Sequence, residues 1–110
     1  MKRRGLDVDE RRDGDAPFVV LSGELDVAHA PRLQQTLTRL IEDDGTSTLT
    51  LDLSQLTFID STGLAAIVYA SRLCERHDCV LSVIRGPDAV HSVFEMTGLA
   101  EHLPFAAPGG

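Results

Sequence analysis

The chain has 110 residues, a formal net charge of −7, 43% hydrophobic residues and a mean hydropathy near zero, the composition of one ordinary globular domain with a single core. Five cations and five acids cancel within residues 1–15, and beyond them Arg32, Arg39, Arg72, Arg76 and Arg85 face twelve acids with no lysine, which excludes a basic stripe for nucleic acid. No run approaches the ~18 apolar residues of a membrane span, and the basic start has no apolar segment behind it as a secretory signal would, so a cytoplasmic protein without membrane insertion is expected.

Leu6 and Val8 alternate with acids, the pattern of a short half-exposed edge strand closed by the Asp13-Gly14-Asp15-Ala16-Pro17 turn. Residues 18–21, Phe-Val-Val-Leu, are a continuous apolar run ending at Ser22-Gly23, which reads as a buried strand. Leu33, Leu37, Leu40 and Ile41 then fall at i, i+4, i+7 and i+8 and predict an amphipathic helix over 30–42, with Pro31 in its first turn and Gly45 past its end. Over 48–53, Leu49, Leu51 and Leu53 alternate with Thr50 and Asp52 as a strand does.

A second helix is predicted over 62–77, its stripe formed by Leu64, Ile67, Val68 and Cys74 with Ser71 as a polar gap, followed by a strand over 80–84. Gly86-Pro87-Asp88 opens a short helix carrying Val90, Val93 and Phe94 and stopped at Gly98, and residues 103–105 are the candidate for a last strand. The ends, 1–4 and 106–110, are expected to be flexible. This order predicts an α/β fold, a small mixed β-sheet of four to five strands with three to four helices packed on it, in one domain spanning 1–110.

Conventional catalytic signatures are absent: no Gly-x-Ser-x-Gly elbow, no Gly-rich phosphate loop, no His-Glu-x-x-His. An enzyme is therefore not expected, and neither is a cofactor or a metal. Cys74 and Cys79 lie near His77, but their spacing is not that of a zinc knuckle and no second ligand pair follows, so they read as reduced thiols partly buried in the core. His29, His77, His91 and His102 are scattered and read as solvent-facing or locally bonded.

Chemistry concentrates where a buried apolar stretch meets the second helix, at Asp60-Ser61-Thr62-Gly63. Asp60 or Ser61 can accept a backbone N–H as helix cap, which contributes about 1 kcal/mol. Gly63 in the first turn costs roughly 0.8–1 kcal/mol relative to alanine, and the gain that would offset it is access for another molecule to the Ser61 hydroxyl.

Three stretches, Leu21-Ser22-Gly23-Glu24-Leu25-Asp26, the segment 51–64 ending in Asp60-Ser61-Thr62-Gly63-Leu64, and Phe94-Glu95-Met96-Thr97-Gly98-Leu99, together resemble the STAS domain of bacterial anti-sigma-factor antagonists. The resemblance implies a non-catalytic regulator whose unmodified form binds an anti-sigma factor that is also a serine kinase, releasing the sigma factor, and which phosphorylation switches off. It implies Ser61 as the phosphoacceptor, with Thr62 as the alternative, and Asp26, Asp60, Ser61, Thr62 and Gly63 at the partner surface. ATP and magnesium would belong to the kinase, and a serine phosphatase would restore the active form. The alternative is a non-switching STAS scaffold subunit of a signalling or lipid-transport assembly, in which Ser61 would be only a cap; a residue unable to carry phosphate would have favoured it.

Overall fold

The computed structural model describes residues 5–106 and contains four strands in the spatial order β1-β2-β3-β4: β1 Leu6–Asp13, β2 Ala16–Leu25, β3 Thr48–Ile59 and β4 Val80–Ile84. β1 is an antiparallel edge strand on β2, whereas β2, β3 and β4 are mutually parallel. The two parallel connections are made by helices, α1 (Ala30–Thr38) between β2 and β3 and α2 (Ser61–Arg76) between β3 and β4, and α3 (Asp88–Met96) follows β4. The expected mixed sheet with three helices is thus present. Leu21, Leu49, Leu51 and Leu53 from the sheet, Leu33 and Leu37 from α1, Ile67 and Ala70 from α2 and Phe94 from α3 share one core in which each is at most 1% exposed. Among the described residues no helix is long and apolar enough to cross a membrane.

Two strands are longer than the sequence pattern predicts, and both extensions lead to the same end of the sheet. β2 runs past Gly23 because that residue sits at φ +98, where a Cβ would come within 2.2 Å of the Gly5 carbonyl oxygen. The close approach lets Glu24 donate its N–H to Gly5 O at 2.9 Å. β3 runs past Leu53 to Ile59, but its register against β2 shifts twice, so the buried residues step from Leu53 to Leu56 to Ile59 at intervals of three. That interval removes the period-two signal a strand normally shows.

The first helix is helical over the predicted span but changes character: α1 passes at Arg39–Asp43 into a π-helical turn, marked by the Asp44 N–H to Arg39 O bond at 2.9 Å. Leu40 and Ile41, adjacent in sequence, are both buried there. Residues 103–105 form no full strand. Phe105 makes a single parallel bridge to Val83, held by the Val83 N–H to Pro104 O at 3.0 Å and the Ala106 N–H to Val83 O at 2.8 Å. Residues 1–4 and 107–110 of the expected flexible ends lie outside the described residues, while Ala106 is tied down by that bond.

Candidate functional site

At the end of the sheet where β2 and β3 stop, the β2–α1 loop and the start of α2 come together. Asp60 follows the last residue of β3 and is the N-cap of α2, its backbone extended at φ −111 and ψ −173. Its Oδ1 accepts the Gly63 N–H at 2.9 Å, and its Oδ2 accepts the N–H of Val27, in the facing loop, at 3.2 Å. One carboxylate therefore caps the helix and clamps the loop beside it. Asp60→Ala removes both bonds and is expected to lower stability by about 1–2 kcal/mol, read as the shift of the urea midpoint at unchanged slope.

Because Asp60 takes the cap, Ser61 occupies the first helical position, exposed, with its hydroxyl free of hydrogen bonds to the described residues. Of the two residues expected to compete for the cap, only Asp60 serves. Thr62, one place further in, is half-buried. The first N–H groups of the helix and its positive dipole end lie at Ser61, so a negative group placed there meets a favourable field.

Gly63 corrects an expectation. It is buried, and a Cβ on it would stand 2.3 Å from Leu25 O and 2.8 Å from the Ile59 Cγ1. Its missing side chain lets the helix settle onto the ends of β2 and β3; it opens no path to Ser61 and presents no surface to a partner.

Asp26, at the start of the β2–α1 loop, is occupied locally. Its Oδ1 accepts the N–H groups of Ala28 and His29 at 3.1 and 3.2 Å and lies 2.6 Å from His29 Nδ1. The His29 ring beside it, chiefly through that bond, holds the Asp26 carboxyl below its usual 3.8. A carboxylate with a lowered folded-state pKa stabilises the fold above its unfolded value and loses that contribution as pH falls through the folded one, so the loop contact weakens only below about pH 3.8. Carboxyl carbon NMR titration is expected to place the Asp26 midpoint below 3.8 and to move it upward in His29→Ala.

The Val27 N–H to Asp60 bond thus joins the β2–α1 loop, which carries Asp26 and the 68% exposed Val27, to the start of α2, which carries Ser61; Phe58, two residues before Asp60, is 47% exposed. Those two apolar residues had no signal in the sequence beyond their proximity to the motif. The other candidates lie elsewhere. Cys74 and Cys79 are free and buried; burial pushes the Cys74 thiol up to about 12, which leaves almost no thiolate at neutral pH. Among the described residues no three His, Cys, Asp or Glu side chains cluster to hold a metal ion. His91 departs from the expected solvent-facing or locally bonded role: it is 7% exposed, its ring edge-on to Phe105 with centroids 4.8 Å apart and its Nδ1 without a hydrogen-bond partner among the described residues.

Comparison with known proteins places the whole of this fold in one family. A family model described as "Mlab, STAS domain" covers residues 8–104. The chain is similar to an anti-sigma-B factor antagonist of Staphylococcus aureus, 34% identical over 83 residues that make up 76% of each protein. It is also similar to an anti-sigma-B factor antagonist of Listeria monocytogenes, 29% identical over 92 residues, 84% of this chain and 80% of the relative. Among solved structures, an anti-sigma factor antagonist from Mycobacterium paratuberculosis has the same fold, with a TM-score of 0.82 at 23% identity over 96% of this chain and 88% of that one.

Proposed function

Because the chain belongs to the STAS domain family, we propose that it is an anti-sigma-factor antagonist acting in the cytoplasm. In this reading the unmodified protein binds an anti-sigma factor that is also a serine kinase and so frees the sigma factor. Phosphorylation at Ser61 reverses the binding, and a serine phosphatase resets it. The protein performs no chemistry itself, and ATP and magnesium are the kinase's.

The observation that carries the reading is the idle Ser61 hydroxyl: exposed at the first position of α2 while its neighbour Asp60 does the capping. A serine acting as the cap would be bonded to a backbone N–H. The surroundings support the same role, since the loop carrying Asp26 and the exposed Val27 is bonded to Asp60, the residue before Ser61, and so brings acid and exposed apolar side chains suited to a protein partner.

The reading is tested by incubating the protein with each purified anti-sigma-factor kinase of the same genome, ATP and magnesium, and mapping phosphate by mass spectrometry. One phosphate on Ser61, absent from Ser61→Ala, is the expected result. Phosphate on Thr62 alone, or no phosphate with any kinase, contradicts it.

A further inference from the structure

The outer side of α2 carries a second stripe, which starts at Ser61 and continues through Ala65 and Val68 to Arg72, flanked by Tyr69, which packs against the edge of the core with its hydroxyl 2.7 Å from that of Thr38. With Leu99, from the turn after α3, this stripe lines an open groove of about 490 Å³. Eleven residues of helix separate its ends by about 16 Å, three turns, the reach of a docked helix.

Charge marks the far end. Arg72 and Arg76, one turn apart and exposed, make no ion pair with the described residues, and the nearby acids Glu75 and Asp78 pair with neither. The other arginines among the described residues are used: Arg11, Arg39 and Arg85 pair with carboxylates, Arg12 bonds the Asp15 carbonyl and Arg32 the Leu6 carbonyl. In a chain of net charge −7, an unpaired guanidinium lining the groove, Arg72, with a second, Arg76, one helical turn beyond it, is an unmatched feature.

Resting on the reading of Ser61 as the switch, we infer that this groove seats an amphipathic helix of the anti-sigma factor, its apolar edge along Val68 and Tyr69 and its carboxylates on Arg72 and Arg76. Recognition then has two ends: a switched end at Ser61 and a constant end at Arg72. Their separation of about 16 Å exceeds the Debye length of about 8 Å at physiological salt, so substitutions at the two ends contribute independently.

The test titrates the anti-sigma-factor kinases of the same genome with wild type, Arg72→Lys, Arg72→Glu, Ser61→Glu and the Ser61→Glu/Arg72→Glu double variant, with thermal melts of each. Arg72→Glu is expected to weaken binding about 30-fold and Arg72→Lys by less than about threefold, with the two substitutions multiplying in the double variant. Hydrogen exchange should then show protection of an acidic amphipathic helix in the partner. Arg72→Glu binding within threefold of wild type at an unchanged melting temperature overturns the inference and leaves the proposed function standing. If wild type binds none of the kinases, the proposed function falls and the inference with it.

Discussion

Gly63→Ala is expected to destabilise the domain by about 2–3 kcal/mol, an overpacking cost at the upper end of the usual range. For a chain of this size that lowers the melting temperature by roughly 10 °C. The reason is the identity of the obstructing atom. The new methyl meets Leu25 O at 2.3 Å, a backbone oxygen at the end of β2, and Ile59 Cγ1 at 2.8 Å, so relief requires moving the helix off the strand ends. Flexible side chains can rotate away, but this carbonyl cannot. Any such movement also pulls on the Asp60 carboxylate, which spans Gly63 and the Val27 loop. Ser61→Ala, two residues away, removes a hydroxyl bonded to nothing described, and its melt should superimpose on that of wild type within about 1 °C. Paired melts of the two variants therefore separate the packing residue from the chemical one.

The second large effect is on binding. Phosphorylation of Ser61 is expected to weaken the complex with the anti-sigma factor by at least about tenfold, equivalent to 1.4 kcal/mol, without unfolding the domain. The folded state tolerates the phosphate because the N-terminal dipole of α2 favours an anion there by about 0.3–1 kcal/mol at an exposed position. The complex does not, since a surface shaped over a small hydroxyl must accommodate a group of charge about −1.5 to −2 next to the Asp60 carboxylate and lose its hydration. Ser61→Glu carries one charge and fewer acceptor oxygens, so it should reproduce the direction with a smaller loss.

Much of this surface is written in the local sequence, and the gaps have identifiable causes. The Leu33, Leu37, Leu40, Ile41 stripe and the Gly98 stop report true boundaries because helix periodicity and left-handed turns are local properties; Gly98 sits at φ +77. The far half of β3 was hidden because bulges against β2 replace period two by steps of three at Leu53, Leu56 and Ile59. Gly63 was legible as an oddity and misread as an opening, since the atom that demands glycine, Leu25 O, lies more than thirty positions earlier in the chain. Likewise Asp60 and Ser61 are equivalent cap candidates by composition alone, and the choice follows from the Val27 N–H that Asp60 also binds. The outer stripe of α2 was obscured by the inner one: Val68 was assigned to the core stripe, yet it is only half-buried and lines the groove.

As a switch, Ser61 is a position whose proposed modification changes what the protein binds and leaves how it folds unaltered. Calorimetric titration of unmodified and Ser61-phosphorylated protein against the same anti-sigma-factor kinase, with circular dichroism melts of both forms in parallel, measures binding and folding together. Superimposable melts and an affinity at least about tenfold lower for the phosphoprotein are expected. Equal affinities, or tighter binding by the phosphoprotein, would contradict the switch.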